Sequence, residues 1–162
     1  NEERKFNELE NIDISKSIDA KIIDEKLNGL KWITYLNPNN PKEEVDNLIE
    51  VMNFFKNEKN NKMLITEYQI ISPILGIYDN SPNQWHHPSV SFPLRGNIYF
   101  KKYQKYFISK IKEKNIDTIF ETREDDKIIT ALLLNEECFI KKKRLGKMLI
   151  KIKLNLDCEE LK

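Results

Sequence analysis

Apolar side chains recur along this chain at two spacings, one helical and one alternating, and the changes between them mark out the elements. Val45, Leu48, Ile49, Met52 and Phe55 form a stripe that predicts a helix over 41–57. Asn40 is its N-cap, Pro41 takes the first helical position, and Glu43 and Glu44 fall in the first turn, where the helix dipole favours carboxylates. Phe100, Tyr103, Phe107 and Ile111 predict a second helix over 98–114, with Lys101, Lys102, Lys105, Lys110 and Lys112 on its solvated face. A shorter stripe, Ile18, Ile22, Ile23 and Leu27, predicts a helix stopped by Asn28-Gly29. Strict alternation appears once, from Lys147 to Leu156: Met148, Ile150, Ile152, Leu154 and Leu156 face one way, and Lys147, Lys151, Lys153 and Asn155 the other. One wet face and a row of lysines suit an edge strand that must not recruit another sheet.

Three short runs complete the strands. Leu30 to Leu36 (LKWITYL) is rich in aromatic and β-branched residues and ends at Asn37-Pro38; Met63 to Glu67 opens the stretch KMLITEYQIISPILGIYDNSPN; Ile116 to Glu121 reads IDTIFE. A short apolar helix follows the second run, from about Gln69 to Ile77, and the run Ile128 to Leu134 leads into another near Asn135 to Phe139. Strand 30–36, helix 41–57 and strand 63–67 make a unit whose crossover suits right-handed, parallel pairing. The expected fold is therefore α/β: a three-layer sandwich with a mostly parallel sheet of about four strands (30–36, 63–67, 116–121, 147–156), the C-terminal one at the edge. Residues 1–17, charged and weakly patterned, read as a flexible arm, and 18–162 as a single domain. The least regular part is Tyr78 to Asn97, which carries Pro82, Pro88 and Pro93; loops of this length inside a compact domain are often functional.

Composition narrows the function classes. Lys+Arg 27 against Asp+Glu 26 leaves no global field toward nucleic acid, so no nucleic-acid partner is expected. The filler is Lys, Asn and Ile, as in KNEKNNK (Lys56 to Lys62), which fits an AT-rich genome. A membrane span needs about 18 consecutive apolar residues and none occurs; the opening NEERKFNELE is too charged for a signal peptide. Cys138 and Cys158 are too few to define a framework, and on composition alone free thiols and a disulfide are both open.

The candidate chemistry is sparse. His86-His87 invites a metal reading, yet adjacent imidazoles do not converge on one ion and no Cys or HExxH-type spacing completes a site, so no metal is expected and the loop rings are assigned to packing. Glu67 and Glu121 close two predicted parallel strands, the end at which open α/β sheets bind ligands; with Asp79, Asp125 and Asp126 they are the carboxylates available for acid/base work. Asp117 and Asp125-Asp126 with Lys127 form only a loose echo of a nuclease arrangement. Gly29, Gly76, Gly96 and Gly146 are isolated, which excludes a phosphate loop and a dinucleotide fingerprint, and no cofactor is expected. Neither Ser72 nor Ser81 lies in a nucleophile elbow.

From Leu30 onward the strings WITYLNPNNPKEEVDNLIEVMNFF (Trp32 to Phe55), MLITEYQIISPILGIYDNSPN (Met63 to Asn83) and NIYFKKYQKYFISKIKEKNIDTIF (Asn97 to Phe120) resemble the soluble C-terminal region of multi-spanning membrane proteins of marine, AT-rich bacteria. Those proteins are similar to lipid-linked-sugar glycosyltransferases of the protein O-mannosyltransferase type. The resemblance implies a non-catalytic accessory domain on the periplasmic side, partnered with the membrane-embedded part of the same parent and contacting sugar, acceptor or partner. None of that family's catalytic motif maps onto this chain. The candidate binding residues, read from the loop Tyr78 to Asn97 and the strand ends, are Glu67, Tyr68, Gln69, Asp79, Trp85, His86, His87 and Glu121, and the oxidising compartment that the resemblance implies favours a Cys138–Cys158 disulfide. Two alternatives stand beside it: a free-standing cytoplasmic enzyme or small-molecule-binding protein using Glu67, Asp79, His86 and Glu121, and a purely structural or interaction module.

Overall fold

The computed structural model describes residues 12–87, 90–123 and 128–161. The chain divides into two compact units, Asn1–Glu50 and Val51–Lys162. The first 11 residues of the expected arm lie outside the described residues; of the remainder, Ile12 is buried and Ile14–Lys16 forms a single 3₁₀ turn.

In the first unit the expected helix over 18–27 is replaced by β1 (Ile18–Asp19) and two 3₁₀ turns, Ala20–Ile22 and Glu25–Leu27. The cause is local. Asp19 and Asp24 each accept a hydrogen bond at 3.0 Å from the backbone N–H two residues on, and Asp13 does the same before the Ile14 turn. Such side chains offer the backbone a short turn in place of a helix. The Leu30–Leu36 run is corrected as well: only β2 (Lys31–Trp32) is strand, and it pairs antiparallel with β1, outside the main sheet. The polar atoms of this run are committed elsewhere. Thr34 Oγ1 donates to the buried Glu44 carboxylate at 2.7 and 2.8 Å and Trp32 Nε1 donates at 3.3 Å, which ties the run to the following helix, α1 (Pro41–Asn57). That helix begins as its sequence predicts. Glu43 N–H donates to Asn40 Oδ1 at 3.2 Å and Asn40 Nδ2 donates back to Glu43 Oε2 at 2.9 Å.

The second unit holds a four-stranded sheet of β3 (Lys62–Ile65), β4 (Thr118–Thr122), β5 (Phe139–Leu145) and β6 (Leu149–Leu154), in the order β3-β4-β6-β5. Only β3 and β4 are parallel, with Leu64 opposite Phe120; β4–β6 and β6–β5 are antiparallel, so the sheet is mixed, not mostly parallel. The C-terminal strand is not an edge. Ile150, Ile152 and Leu154 are buried as expected, whereas Leu156 is exposed beyond the strand and Leu149 is buried on the opposite face; β6 lies between β4 and β5, and the edge belongs to β5, which the sequence pattern does not mark as a strand. The basic run IKKKR hides it, because a strand with mostly exposed side chains has no apolar period.

One face of the sheet carries Met63, Ile65, Ile119, Ile150, Ile152 and Leu154. These form a common core with Phe100, Phe107 and Ile111 of α3 (Phe100–Glu113), Ile129 and Leu133 of α4 (Ile129–Leu133), and Phe92 from the loop before α3. On the other face Phe120 meets Phe55 edge-to-face, centroids 5.8 Å apart, and Lys62 Nζ donates to Glu58 O at 2.7 Å beyond the helix end. A short helix, α2 (Ile71–Leu75), follows β3 and is stopped by Gly76, whose positive φ of 64° closes the turn.

Cys138 and Cys158 are joined, Cα–Cα 5.4 Å, linking the 3₁₀ turn before β5 to the turn after β6. Closing a loop over a sequence separation of 20 constrains the unfolded chain by about 3 kcal/mol. The double variant Cys138→Ser/Cys158→Ser is expected to lose that amount in urea unfolding, and reductant is expected to destabilise the native chain while leaving the double variant unmoved.

Candidate functional site

The parallel pair ends in two threonines. Thr122 Oγ1 donates to Thr66 Oγ1 at 2.9 Å, both side chains being buried, and Thr66 Oγ1 also receives Tyr68 N–H at 3.0 Å. The chain thus turns immediately out of β3 into α2. It then returns along the open edge of β3. Asn80 Nδ2 donates to Lys62 O at 2.8 Å, Leu64 N–H donates to Asp79 O at 2.9 Å, and His86 N–H donates to Thr66 O at 2.9 Å. An exposed strand edge is covered by its own loop, so the edge is satisfied without another strand. Asn80 takes a left-handed conformation, φ 56°, which Asn tolerates better than most residues.

Between α2 and this returning loop lies an open groove of about 710 Å³, lined by Gln69, Ser72, Pro73, Gly76, Ile77, Tyr78, Asp79, Ser81, Pro82, Asn83 and Gln84. Its size is that of a small-ligand site. Asp79 is held from two sides: Ser72 Oγ donates to Oδ2 and Ser81 N–H to Oδ1, each at 3.1 Å. Each oxygen keeps lone-pair capacity for a further donor. Asn83 is anchored through Nδ2 to Ser91 O at 2.7 Å. Gln69 and Gln84 are exposed, and Tyr78 is 77% exposed.

Of the residues expected to bind a ligand, Gln69 and Asp79 line this groove and the others do not. Glu67 forms an ion pair with Arg123 at 3.8 Å, just beyond the ends of β3 and β4. Tyr68 is half-buried in the turn. Trp85 lies against His87, centroids 6.0 Å apart, and His87 N–H donates to Ser91 Oγ at 2.7 Å. His86 is 1% exposed, its ring 5.9 Å from Phe92, which in turn stacks on Tyr103; among the described residues neither ring nitrogen has a hydrogen-bond partner. Burial drives its pKa down to about 4, so the imidazole is neutral. Glu121 points into the core face, fully buried, where its carboxylate accepts hydrogen bonds from Ile129 N–H, from Thr130 N–H at 3.0 Å and from Thr130 Oγ1 at 2.9 Å. Burial raises its pKa and these donors oppose the rise. It is the anchor of α4, not half of a carboxylate pair with Glu67.

Asp125, Asp126 and Lys127 lie outside the described residues, as does Pro88 of the loop. Asp117 is occupied by Lys153, at 2.6 Å. Among the described residues no three His, Cys, Asp or Glu side chains are placed to hold a metal ion, and no helix is long and apolar enough to cross a membrane. Tyr78, Ser81, Asn83 and Gln84 line the groove from within the irregular loop 78–97, though the sequence singles out none of them, and Ser72 of α2 lines it with no motif to mark it. Comparison with family models, curated proteins and solved structures gives no match for the chain.

Two predictions follow from the buried titratable groups. Because His86 is neutral in the fold and takes a proton below pH 6.5 when unfolded, its contribution to stability is full above pH 6.5 and is lost as pH falls to about 4. The loss is on the order of 3 kcal/mol, and His86→Phe is expected to flatten the stability profile across this window in urea titrations at stepped pH. Glu121→Gln replaces an acceptor oxygen by an amide that faces a backbone donor, and is expected to destabilise the chain by about 1–3 kcal/mol in the same assay.

Proposed function

We propose that this chain is a non-catalytic binding domain that holds a carbohydrate in the groove between α2 and the loop Tyr78–Gln84. The observation that carries the reading is the composition of the groove. It combines an exposed tyrosine ring with the amides of Gln69, Asn83 and Gln84, the Ser72 hydroxyl and a fixed Asp79 carboxylate. Sugars present alternating apolar C–H faces and hydroxyl rims. A flat ring takes the first, and planar amides, which donate and accept, together with a carboxylate, which accepts, take the second. The alternative of an acidic enzyme site needs Glu67, Asp79, His86 and Glu121 in one pocket, and only Asp79 lines the groove.

The wider setting is also a proposal. The resemblance to the C-terminal region of lipid-linked-sugar glycosyltransferases supplies a membrane-embedded parent with which this domain is partnered, and a sugar-bearing acceptor as the bound molecule. The Cys138–Cys158 link supports an oxidising compartment, hence the periplasmic side of the membrane. We also read the second unit as a three-layer sandwich, because Phe55 of α1 packs against one face of the sheet and α3 with α4 against the other.

The test is titration of the domain with a panel of neutral oligosaccharides, followed by calorimetry or amide chemical shifts. Saturable binding is expected, weakened about fivefold by Tyr78→Ala through loss of ring contact. The double variant Gln69→Ala/Gln84→Ala is expected to lose about tenfold through two hydrogen bonds. No saturation by any saccharide, or cleavage or transfer of a saccharide by the domain alone, would contradict the reading.

A further inference from the structure

The groove between α2 and the returning loop holds one carboxylate, Asp79, and no other lining residue carries a charge. Its surroundings set it apart from the other carboxylates of the second unit that are not exposed. Among the described residues Glu58 pairs with Lys151, Asp117 with Lys153 at 2.6 Å and Glu67 with Arg123 at 3.8 Å, while Glu121 is met by three donors in the core. Asp79 is half-buried and makes no ion pair among the described residues. Its two donors, Ser72 Oγ and Ser81 N–H, are both neutral and both at 3.1 Å, which is long for a hydroxyl. Lys110, the cation that the Tyr78 hydroxyl feels, is committed elsewhere: it pairs with Glu113 at 2.8 Å and lies over the Tyr106 ring, 5.6 Å from its centroid.

The turn itself does not require this charge. Ser81 N–H donating to Oδ1 is a turn that asparagine makes with its own Oδ1, and Ser72 Oγ would then accept from the amide instead of donating to the carboxylate. The aspartate therefore adds to the groove a negative charge that neither the turn nor an internal cation explains.

We propose that Asp79 is the receptor for a ligand ammonium, so that the groove selects a saccharide bearing a free amino group. The assignment rests on the carbohydrate reading of the groove and names the sugar class within it. A protonated amine brings a positive charge and three donors to two oxygens that each have room for a further bond, and charge-assisted bonds of this kind are about twice as strong as neutral ones. The face of the Tyr78 ring, in the same groove, attracts cations as well as apolar C–H groups. A hydroxyl or an N-acetyl group in the same place offers Asp79 a single neutral donor.

The experiment is calorimetry of the chain with two probes of one length and linkage, a glucosamine tetrasaccharide and its fully N-acetylated counterpart, in buffer acid enough to keep the amines charged. The amine form is expected to bind about tenfold more tightly, the difference between a charge-assisted and a neutral hydrogen bond. The advantage is expected to shrink between about 0.1 and 1 M salt as the Debye length shortens from about 10 to 3 Å. Asp79→Asn is expected to bring the ratio of the two affinities to about one through loss of the charge. Glu137→Gln, an exposed acid outside the groove, is expected to leave that ratio as it is, and circular dichroism verifies that both variants fold. Equal binding of the two forms, tighter binding of the N-acetylated form, or a preference that survives Asp79→Asn would overturn the ammonium assignment and leave the carbohydrate reading standing. Binding of neither form while other neutral saccharides bind would do the same, and binding of no saccharide at all would overturn both.

Discussion

The hydrogen bond between the Thr122 and Thr66 hydroxyls is the point from which the functional end of the sheet is built. It joins the last residue of β4 to the residue after β3, inside the protein, where an unmade bond would leave the buried Thr122 hydroxyl without its acceptor. Thr66 then does two further things: its hydroxyl receives Tyr68 N–H, which starts the turn into α2, and its carbonyl receives His86 N–H, which ends the returning loop. The two walls of the groove therefore begin and end on one residue. One position earlier in β4, Glu121 uses the same strand to fix the start of α4 on the opposite side of the core. A carboxylate this deeply buried is tolerated because three donors meet it.

Where the sequence carried a strong period, it was readable. The stripe Val45 to Phe55 with the Asn40 cap, the stripe Phe100 to Ile111, and the alternation through Ile150, Ile152 and Leu154 all appear as elements with the expected faces buried. The errors fall where side-chain hydrogen bonds compete with periodicity. Asp19 and Asp24 turn an apparent helix into separate turns, and Glu44 draws Trp32 and Thr34 away from the sheet. The basic strand β5 escaped because its side chains are mostly exposed, and that single omission moved the C-terminal strand from interior to edge. Gln69 and Asp79, polar residues flanking an apolar helix in the sequence, are the two of the expected residues that line the groove. Glu121 was misread because a polar residue at a strand end looks the same in sequence whether it faces solvent or the next helix.

The arrangement separates two kinds of surface. At the β3 edge a loop replaces the missing neighbour strand and leaves a polar groove with an exposed tyrosine; at the β5 edge a hairpin presents unneutralised lysines. His86 stabilises the first of these only while it is neutral, since its buried ring lies against Phe92 and, among the described residues, finds no acceptor or donor for either nitrogen. The groove's outer wall is thus more secure at neutral than at acid pH.

Hydrogen exchange in the presence of a saturating oligosaccharide tests the central claim, that the groove is where the ligand sits, most directly. Slowed exchange is expected only at backbone amides of residues 69–84, with the β5–β6 hairpin and the start of α4 unaffected. Protection centred on Glu67, Arg123 and Glu121, or spread over the hairpin with none in 69–84, would contradict it.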